Sequence, residues 1–499
     1  MVSLKFGRYL GPDDVEKRLR GSSPATKEAN GWTKETLDNG IFVNLSRVEF
    51  AEFSCLAQIA LIVEGALRHR IQVSIALPLS VPSDGETAFI AQCRRENNPT
   101  LAESVTARIL RRQIALNFME HSGFISAIGV QHVPYRADYL SILRNYREAA
   151  SESEFVTENT NTAGQPVDSL DHSAPKDYLL RQMFPLRWFT FDGNETVPHR
   201  ESFATAVLAL ADLGIARADA QAIVGTILRE LVENVARHAP EGSAECPPHA
   251  LVGALLLSQT GHSVKPQHFR AALEPFATYA AQAGSPLLRI VVGDSGIGIY
   301  RRLAPHFVSH NADEVPQLSP PLQPSENILF WAFNKWSTSD TKETRHARGT
   351  RGLWLVQRFV RAYHGAITVR SETAVIGWSY ESANEPTPLR DKQLRYLPGT
   401  ILDISLLTHV PQSLPAPAPT KPLENFRFAF VFLEDIADFE DEHRDKLVEQ
   451  LAKATPERHT CAVLVIDTVP TSSRQAEDLL MSKLDRNVPI VNSLEVSPF

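Results

Sequence analysis

Apolar positions along the chain fall into two rhythms, short runs of period two and longer stretches spaced three and four apart, and their succession predicts the elements. Ile41 to Val48 (IFVNLSRV) reads as a strand, Phe53 to Arg68 as a helix and Ile71 to Pro78 as a second strand. A strand, a helix and a strand with a short helix-to-strand link predict a parallel βαβ unit. After a loop rich in Pro, Gly and Asn, Leu101 to Gly129 keeps helical spacing. Further on, Ile227 to Pro240 (ILRELVENVARHAP) reads as a helix anchored by Ile227, Leu228, Leu231 and Val235, and the pattern HFRAALEPFATYAAQA within Gly261 to Ala283 looks helical. Leu287 to Ile299 (LLRIVVGDSGIGI) is an apolar strand that ends in Asp294 and then in glycines at alternate positions. Arg348 to Val356 (RGTRGLWLV) is a glycine-containing turn that leads into an amphipathic helix. Ala366 to Ser371 and Thr373 to Tyr380 read as paired strands, and Pro398 to Leu406 (PGTILDISL) as a strand opened by Gly399 and Thr400.

Breaks in this pattern predict the domain organisation. Residues 1–35 are mixed and polar and read as a short helix and an extended arm; residues 36–149 read as a first α/β domain. Ala150 to Lys176 is rich in Ser, Thr, Asn and acidic residues and reads as a linker over 150–176. A second domain follows over 177–410, with a helix from PHRESFATAVLALADLGI packed beside the Glu230 helix. The proline-rich PQSLPAPAPTKP marks a semi-rigid spacer over 411–425. Residues 426–499 read as a small α/β unit: strand Phe426 to Leu433, helix Asp441 to Lys453, strand Cys461 to Ile466, helix Gln475 to Leu484 and strand Val488 to Val491. Such a unit is thin for a core of its own and is expected to dock on something else.

Size and composition narrow the class. At 499 residues the chain exceeds the ~250–300 residues at which single cores stop growing, so several domains are expected. Its 43% apolar and 22% charged residues are ordinary for a soluble globular protein. A net charge of −8 gives no global drive toward nucleic acid or an anionic membrane. Cys55, Cys93, Cys246 and Cys461 are scattered without CxxC spacing, which argues against a zinc site or disulfide framework and fits a reducing cytoplasm. The N-terminus lacks the apolar stretch of a signal peptide, and no run approaches the ~18 apolar residues needed to cross a bilayer. The expectation is a cytoplasmic protein that does not enter the membrane.

Candidate chemistry begins with Glu230 and Asn234, which stand one turn apart on one helix face. A carboxylate can take a proton from a nucleophile, and a carboxamide oxygen is a hard ligand suited to Mg²⁺. Alone, such a pair equally fits an ordinary solvated face. Asp294 at a strand's end can accept from an amino group, and Gly296 and Gly298 let backbone approach a flat ring or a phosphate. Amides at the start of the helix after Arg351 could hold phosphate oxygens.

These four boxes, in this order over roughly 186–408, resemble the GHKL superfamily of gyrase B, MutL, the large heat-shock chaperones, sensor histidine kinases and anti-sigma-factor kinases. The resemblance implies a central Bergerat-type α/β sandwich that binds ATP and Mg²⁺. Glu230 would be the general base, Asn234 the Mg²⁺ ligand, and Asp294 the acceptor for the adenine amino group, with Gly296 and Gly298 shaping the adenine wall. Gly349 and Gly352 would lie along the phosphates, and Thr400 would support Asp294 through water. Residues 301–347 occupy the place of a mobile lid; Lys342 and Arg345, with Arg348 and Arg351, put cations near the triphosphate. His238 reads as a helix-end histidine. The phosphate turn departs from the family: RGTRGL stands for a glycine-richer turn, so Arg351 and Trp354 occupy places usually small.

The stretches EFAEFSCLAQIALIVEGALRHRIQVSIALP and ILRRQIALNFMEHSGFISAIG resemble a STAS-type domain. That resemblance brings Ser54 near the family's phosphate-accepting serine, but Phe53 precedes it where an acidic residue is usual, and a plain helix-start serine is the simpler reading. The fold class expected is therefore a multidomain α/β protein, its ATP-binding domain flanked by a STAS-like domain and a small C-terminal unit. Its expected function is that of a Mg²⁺-dependent ATPase whose nucleotide state controls contacts between domains or with a protein partner not identified by the sequence. A serine protein kinase of anti-sigma type acting on a STAS-like partner is the alternative, and a non-catalytic nucleotide clamp a third. No HExxxP helix precedes the domain, which argues against a sensor histidine kinase. Many relatives clamp as dimers, so the resemblance admits a homodimer.

Overall fold

The computed structural model describes residues 1–21, 23–26, 31–78, 84–96, 98–129, 140–143, 183–190, 200–239, 249–257, 273–283, 286–307, 315–333, 352–380, 386–391, 394–408, 427–432, 460–466 and 490–492. In its first part these form β1 (Val2–Lys5), β2 (Tyr9–Leu10), α1 (Pro12–Gly21), α2 (Lys34–Asn39), β3 (Ile41–Asn44), β4 (Phe50–Ala51), α3 (Phe53–Arg68), β5 (Val73–Ala76), α4 (Asp84–Arg95), α5 (Pro99–His121), α6 (Phe124–Ile128) and β6 (Leu140–Leu143). β1, β3, β5 and β6 lie side by side in that order, every pair parallel. The βαβ unit read from the sequence is β3, α3 and β5. The extended arm and short helix read at 1–35 correspond to β1, whose Val2 and Leu4 alternate inward, and to α1. The helical spacing read from Leu101 to Gly129 is carried by two helices, α5 ending at His121 and α6 starting at Phe124. Gly123 there has φ of 77°, and a Cβ on it would collide with the backbone of Leu186.

The second part comprises β7 (Met183–Phe189), α7 (Arg200–Asp212), α8 (Arg217–Ala222), a π-helical turn (Ile223–Leu228), α9 (Arg229–His238), β8 (Ala250–Leu257), α10 (Glu274–Ala283), β9 (Leu287–Asp294), α11 (Ile299–Leu303), α12 (Pro324–Trp331), α13 (Gly352–Ala362), β10 (Ala366–Glu372), β11 (Ala374–Ser379), β12 (Thr387–Arg390) and β13 (Leu397–Leu407). Its strands make one antiparallel sheet in the order β12, β11, β10, β13, β9, β8, β7. The paired strands expected after Gly365 are β10 and β11, and α7 packs beside the turn leading into α9. Beyond them, β14 (Arg427–Phe432), β15 (Thr460–Ile466) and β16 (Ile490–Asn492) form a parallel three-stranded sheet. The expected helices at 441–453 and 475–484 and both expected linkers lie outside the described residues. The protein is thus of mixed α/β class, with parallel and antiparallel sheets. Among the described residues no helix is long and apolar enough to cross a membrane.

Period-two alternation divides the antiparallel sheet into two apolar faces. On β9, Leu288, Ile290 and Val292 enter one core with Ile227, Leu231, Val235, Val356 and Val360 from the α9 and α13 layer. Leu287 and Val291 enter another, with Leu61 and Ile59 of α3 and Val43 and Ile75 of the parallel sheet. Helix α3 is therefore sandwiched between the sheets, touching β5 on one side and β8, β9 and β13 on the other, and all sixteen of its residues are buried.

Arg289 and Arg370, buried at this interface, are each paired with buried carboxylates, as burial requires. Arg289 of β9 is fully buried; its Nε donates to Asp403 (2.8 Å), Nη1 to Glu52 (2.7 Å) and Nη2 to Asp403 and to the Ser54 Oγ (3.0 Å). Arg370 donates through Nε to Glu16 at 2.7 Å. Ser54 is in the first turn of α3, as the helix-start reading has it, but it is 8% exposed and tied to Arg289. A phosphoryl group there would add negative charge beside the buried Glu52 and Asp403 carboxylates that Arg289 already serves.

Candidate functional site

The parity that buries Val292 aims the next even residue, Asp294, toward the helix layer. Its carboxyl is 6% exposed and accepts a hydrogen bond from the Gly296 backbone N–H at 2.8 Å. Burial pushes the carboxyl up to about 7, against the downward pull of that N–H and of Arg68; Glu64 adds to the rise. Thr400 stands opposite Asp294 in the β13 ladder, on the same face as Leu402 and Ile404. Gly399 beside it has φ of 86°, and a Cβ there would strike the Asp294 carbonyl, so the crossing of β13 over the end of β9 requires glycine.

The loop after Asp294 is stitched to the end of α9. Ile297 N–H donates to the Ala239 carbonyl at 3.0 Å, and Gly296 presses so closely on that residue that no side chain fits. Ser371 of β10 accepts from the Ile299 N–H at 2.9 Å, and Glu372 from that of Arg301 at 3.2 Å, which fixes the start of α11. Gly298, at φ of 85°, packs on Ser371 and Gly399.

On α9, Leu231, Val232 and Val235 are buried, while Glu230 and Asn234 are half-buried. Two carboxylates on this helix have different surroundings. Glu233 lies between Arg229 (2.7 Å) and Arg237, in ion pairs one turn to either side. Glu230 is on the face shared with Asn234. A Cβ on Gly352, the first residue of α13, would stand 3.2 Å from the Asn234 Nδ2. The carboxamide therefore meets the N-terminal end of a helix, where the first N–H groups have no partner within the helix and the dipole favours an anion. Trp354, unexpectedly large for its place, is half-buried beneath Arg358, whose guanidinium carbon is 5.5 Å from the ring centre.

All four sequence-predicted boxes thus meet: Ala239 and Gly296 join α9 to the Asp294 loop, Asn234 and Gly352 join α9 to α13, and Gly399 and Thr400 join β13 to Asp294. Lys342, Arg345 and Gly349 lie outside the described residues, as do Arg348 and Arg351. Sequence reasoning missed Ser295, Glu64 and Arg68, which pack behind Asp294. One signal was available: Gly65, inside an otherwise apolar helix, marks a close approach, and a Cβ there would lie 3.2 Å from the Ser295 Cβ.

A buried acceptor at Asp294, a carboxamide at a helix N-terminus and close approaches at Gly296 and Gly352 are the kinds of group that a purine nucleotide with a divalent ion would need. Among the described residues no group of three His, Cys, Asp or Glu side chains could hold a metal. Asn234, the ligand that the resemblance implies, would hold Mg²⁺ through its amide oxygen. Compared with models of known protein families and with curated proteins, the chain matches none.

Proposed function

We propose that the protein binds ATP with Mg²⁺ through a GHKL-type, Bergerat-like domain over about residues 177–410 and hydrolyses it slowly, its nucleotide state altering contacts with flanking units or a protein partner. The single observation that carries this reading is the convergence on α9 of the Asp294 loop, through Ala239, and of the start of α13, through Asn234. A carboxyl, a carboxamide and a helix N-terminus are thereby brought to one region from three distant segments.

Each residue then has a defined task. Asp294, ionised, accepts from the adenine amino group, with one oxygen already oriented by Gly296. The α13 amides bind phosphate oxygens, and the Asn234 Oδ1 is the protein's ligand to Mg²⁺. That ion, when bound, would neutralise charge on the phosphates. Glu230, on the helix face shared with Asn234, would orient a water and take its proton. The STAS-like assignment of the N-terminal unit belongs to the same proposal, supported by its parallel βαβ arrangement.

Incubating the full chain with γ-labelled ATP and Mg²⁺ tests the reading. Label released as phosphate supports the ATPase, and label on a serine of protein supports the kinase alternative. Neither turnover nor binding would refute both. Glu230→Ala is expected to keep binding and lose turnover; equal turnover would assign the base elsewhere.

A further inference from the structure

Helix α3 belongs to the N-terminal unit, yet it bears on the backbone of the nucleotide site from behind. Leu61 presses on Gly293, where a Cβ would collide with its Cδ1. One turn on, Gly65 lets the helix approach Ser295. Arg68 donates from Nη1 to both the Ser295 carbonyl and its Oγ, each at 3.0 Å, and the Ser295 Oγ donates in turn to Glu64. All three side chains are buried. Residues 293 to 295 are thus gripped on the sheet face opposite the helix layer, and Asp294 is the residue between the two grips.

We propose that Arg68 and Glu64 are positioning residues for nucleotide recognition: they hold the Gly293–Ser295 backbone, and through it the Asp294 carboxyl, so that the N-terminal unit is a structural part of the nucleotide site. The proposal rests on the nucleotide-binding reading above. The pair does more than pack, because the two groups act on the Asp294 carboxyl with opposite sign, Arg68 favouring its charged form and Glu64 opposing it. The other elements at this point supply the uncharged Thr400 from β13, the Gly296 N–H, and the end of α9, which carries Arg237, His238 and the Ala239 carbonyl.

The experiment is an affinity profile against pH, from about pH 6 to pH 9, for a non-hydrolysable ATP analogue with Mg²⁺ on the full chain. Wild type should bind more tightly as pH rises through a midpoint near 7. Arg68→Gln should move that midpoint to higher pH and weaken binding roughly tenfold at neutrality, with Arg68→Lys recovering part of the loss. Glu64→Gln, which keeps an oxygen for Ser295, should move the midpoint to lower pH. A side chain that only packs would shift neither midpoint, so folded variants that retain the wild-type midpoint and affinity overturn the proposal. Should Arg68→Gln not fold, Glu64→Gln decides alone on the same criterion. Wild type that binds nothing at any pH sinks the nucleotide reading as well; wild type that binds while the variants stay unmoved sinks the positioning role only.

Discussion

Replacing Asp294 by Asn should separate stability from binding. The folded carboxyl sits near 7 against an ordinary 3.8, chiefly because of burial. A folded group that holds its proton more tightly than the unfolded chain contributes stability in full below about pH 4, and that contribution is lost as pH rises through 7. At ~1.4 kcal/mol per pH unit, ionising this site would cost the empty protein up to ~4 kcal/mol by pH 8. Asparagine carries no charge to desolvate, and its Oδ1 can keep the Gly296 N–H bond. Its Nδ2 would then face the ligand, setting a donor against the adenine amino group where an acceptor is required. Losing one charge-assisted hydrogen bond and leaving donors unmatched corresponds to ~2–4 kcal/mol, or roughly thirtyfold or more in affinity. Urea unfolding at pH 5 and pH 8 reads the first effect and calorimetric titration with a nucleotide analogue the second. The variant should unfold at higher urea than wild type at pH 8, with a smaller difference at pH 5, and bind far more weakly. A variant less stable than wild type at pH 8 with unaltered affinity would make Asp294 a purely structural carboxylate.

Asn234→Ala should abolish Mg²⁺-dependent nucleotide binding while leaving the unfolding midpoint near that of wild type, because the side chain is only half-buried; a lowered midpoint with retained binding would contradict this. Arg289→Met should destabilise the fold by ~3–5 kcal/mol, since Glu52 and Asp403 would remain buried without their counter-charge. That loss should shrink on acidification as Glu52, whose carboxyl burial pushes up, takes a proton, which thermal unfolding at pH 5 and pH 8 measures. Gly399→Ala should lower the melting temperature, combining a left-handed backbone cost of ~1–2 kcal/mol with a collision against Asp294; wild-type melting would mean that the crossing relaxes freely.

Much of this fold could be read from the chain because its elements carry strong periods. The bounds of α3 and β9 match those expected from their apolar runs, and β10, β11 and β13 follow from alternation between turn residues. What pattern could not supply was which faces meet. An apolar run signals burial without naming its partner, so nothing in FSCLAQIALIVEGALR said that both sides of α3 would be covered by different sheets. Arg289 interrupts an apolar strand, and its partners Glu52 and Asp403 lie 237 and 114 positions away, beyond the reach of any local pattern. The same limit hid Arg68 and Ser295, which are 227 positions apart. The glycine-containing boxes were easier to find because glycine constrains backbone wherever it is needed: Gly296, Gly352 and Gly399 each mark a close approach.

The most direct test is an experimental structure of the full chain with Mg²⁺ and a non-hydrolysable ATP analogue. The account predicts the adenine amino group on the Asp294 carboxylate, the ion on the Asn234 Oδ1 and the phosphates against the start of α13, with Glu230 facing the terminal phosphate. An analogue seated elsewhere, or Asp294 turned away from an occupied site, would contradict it.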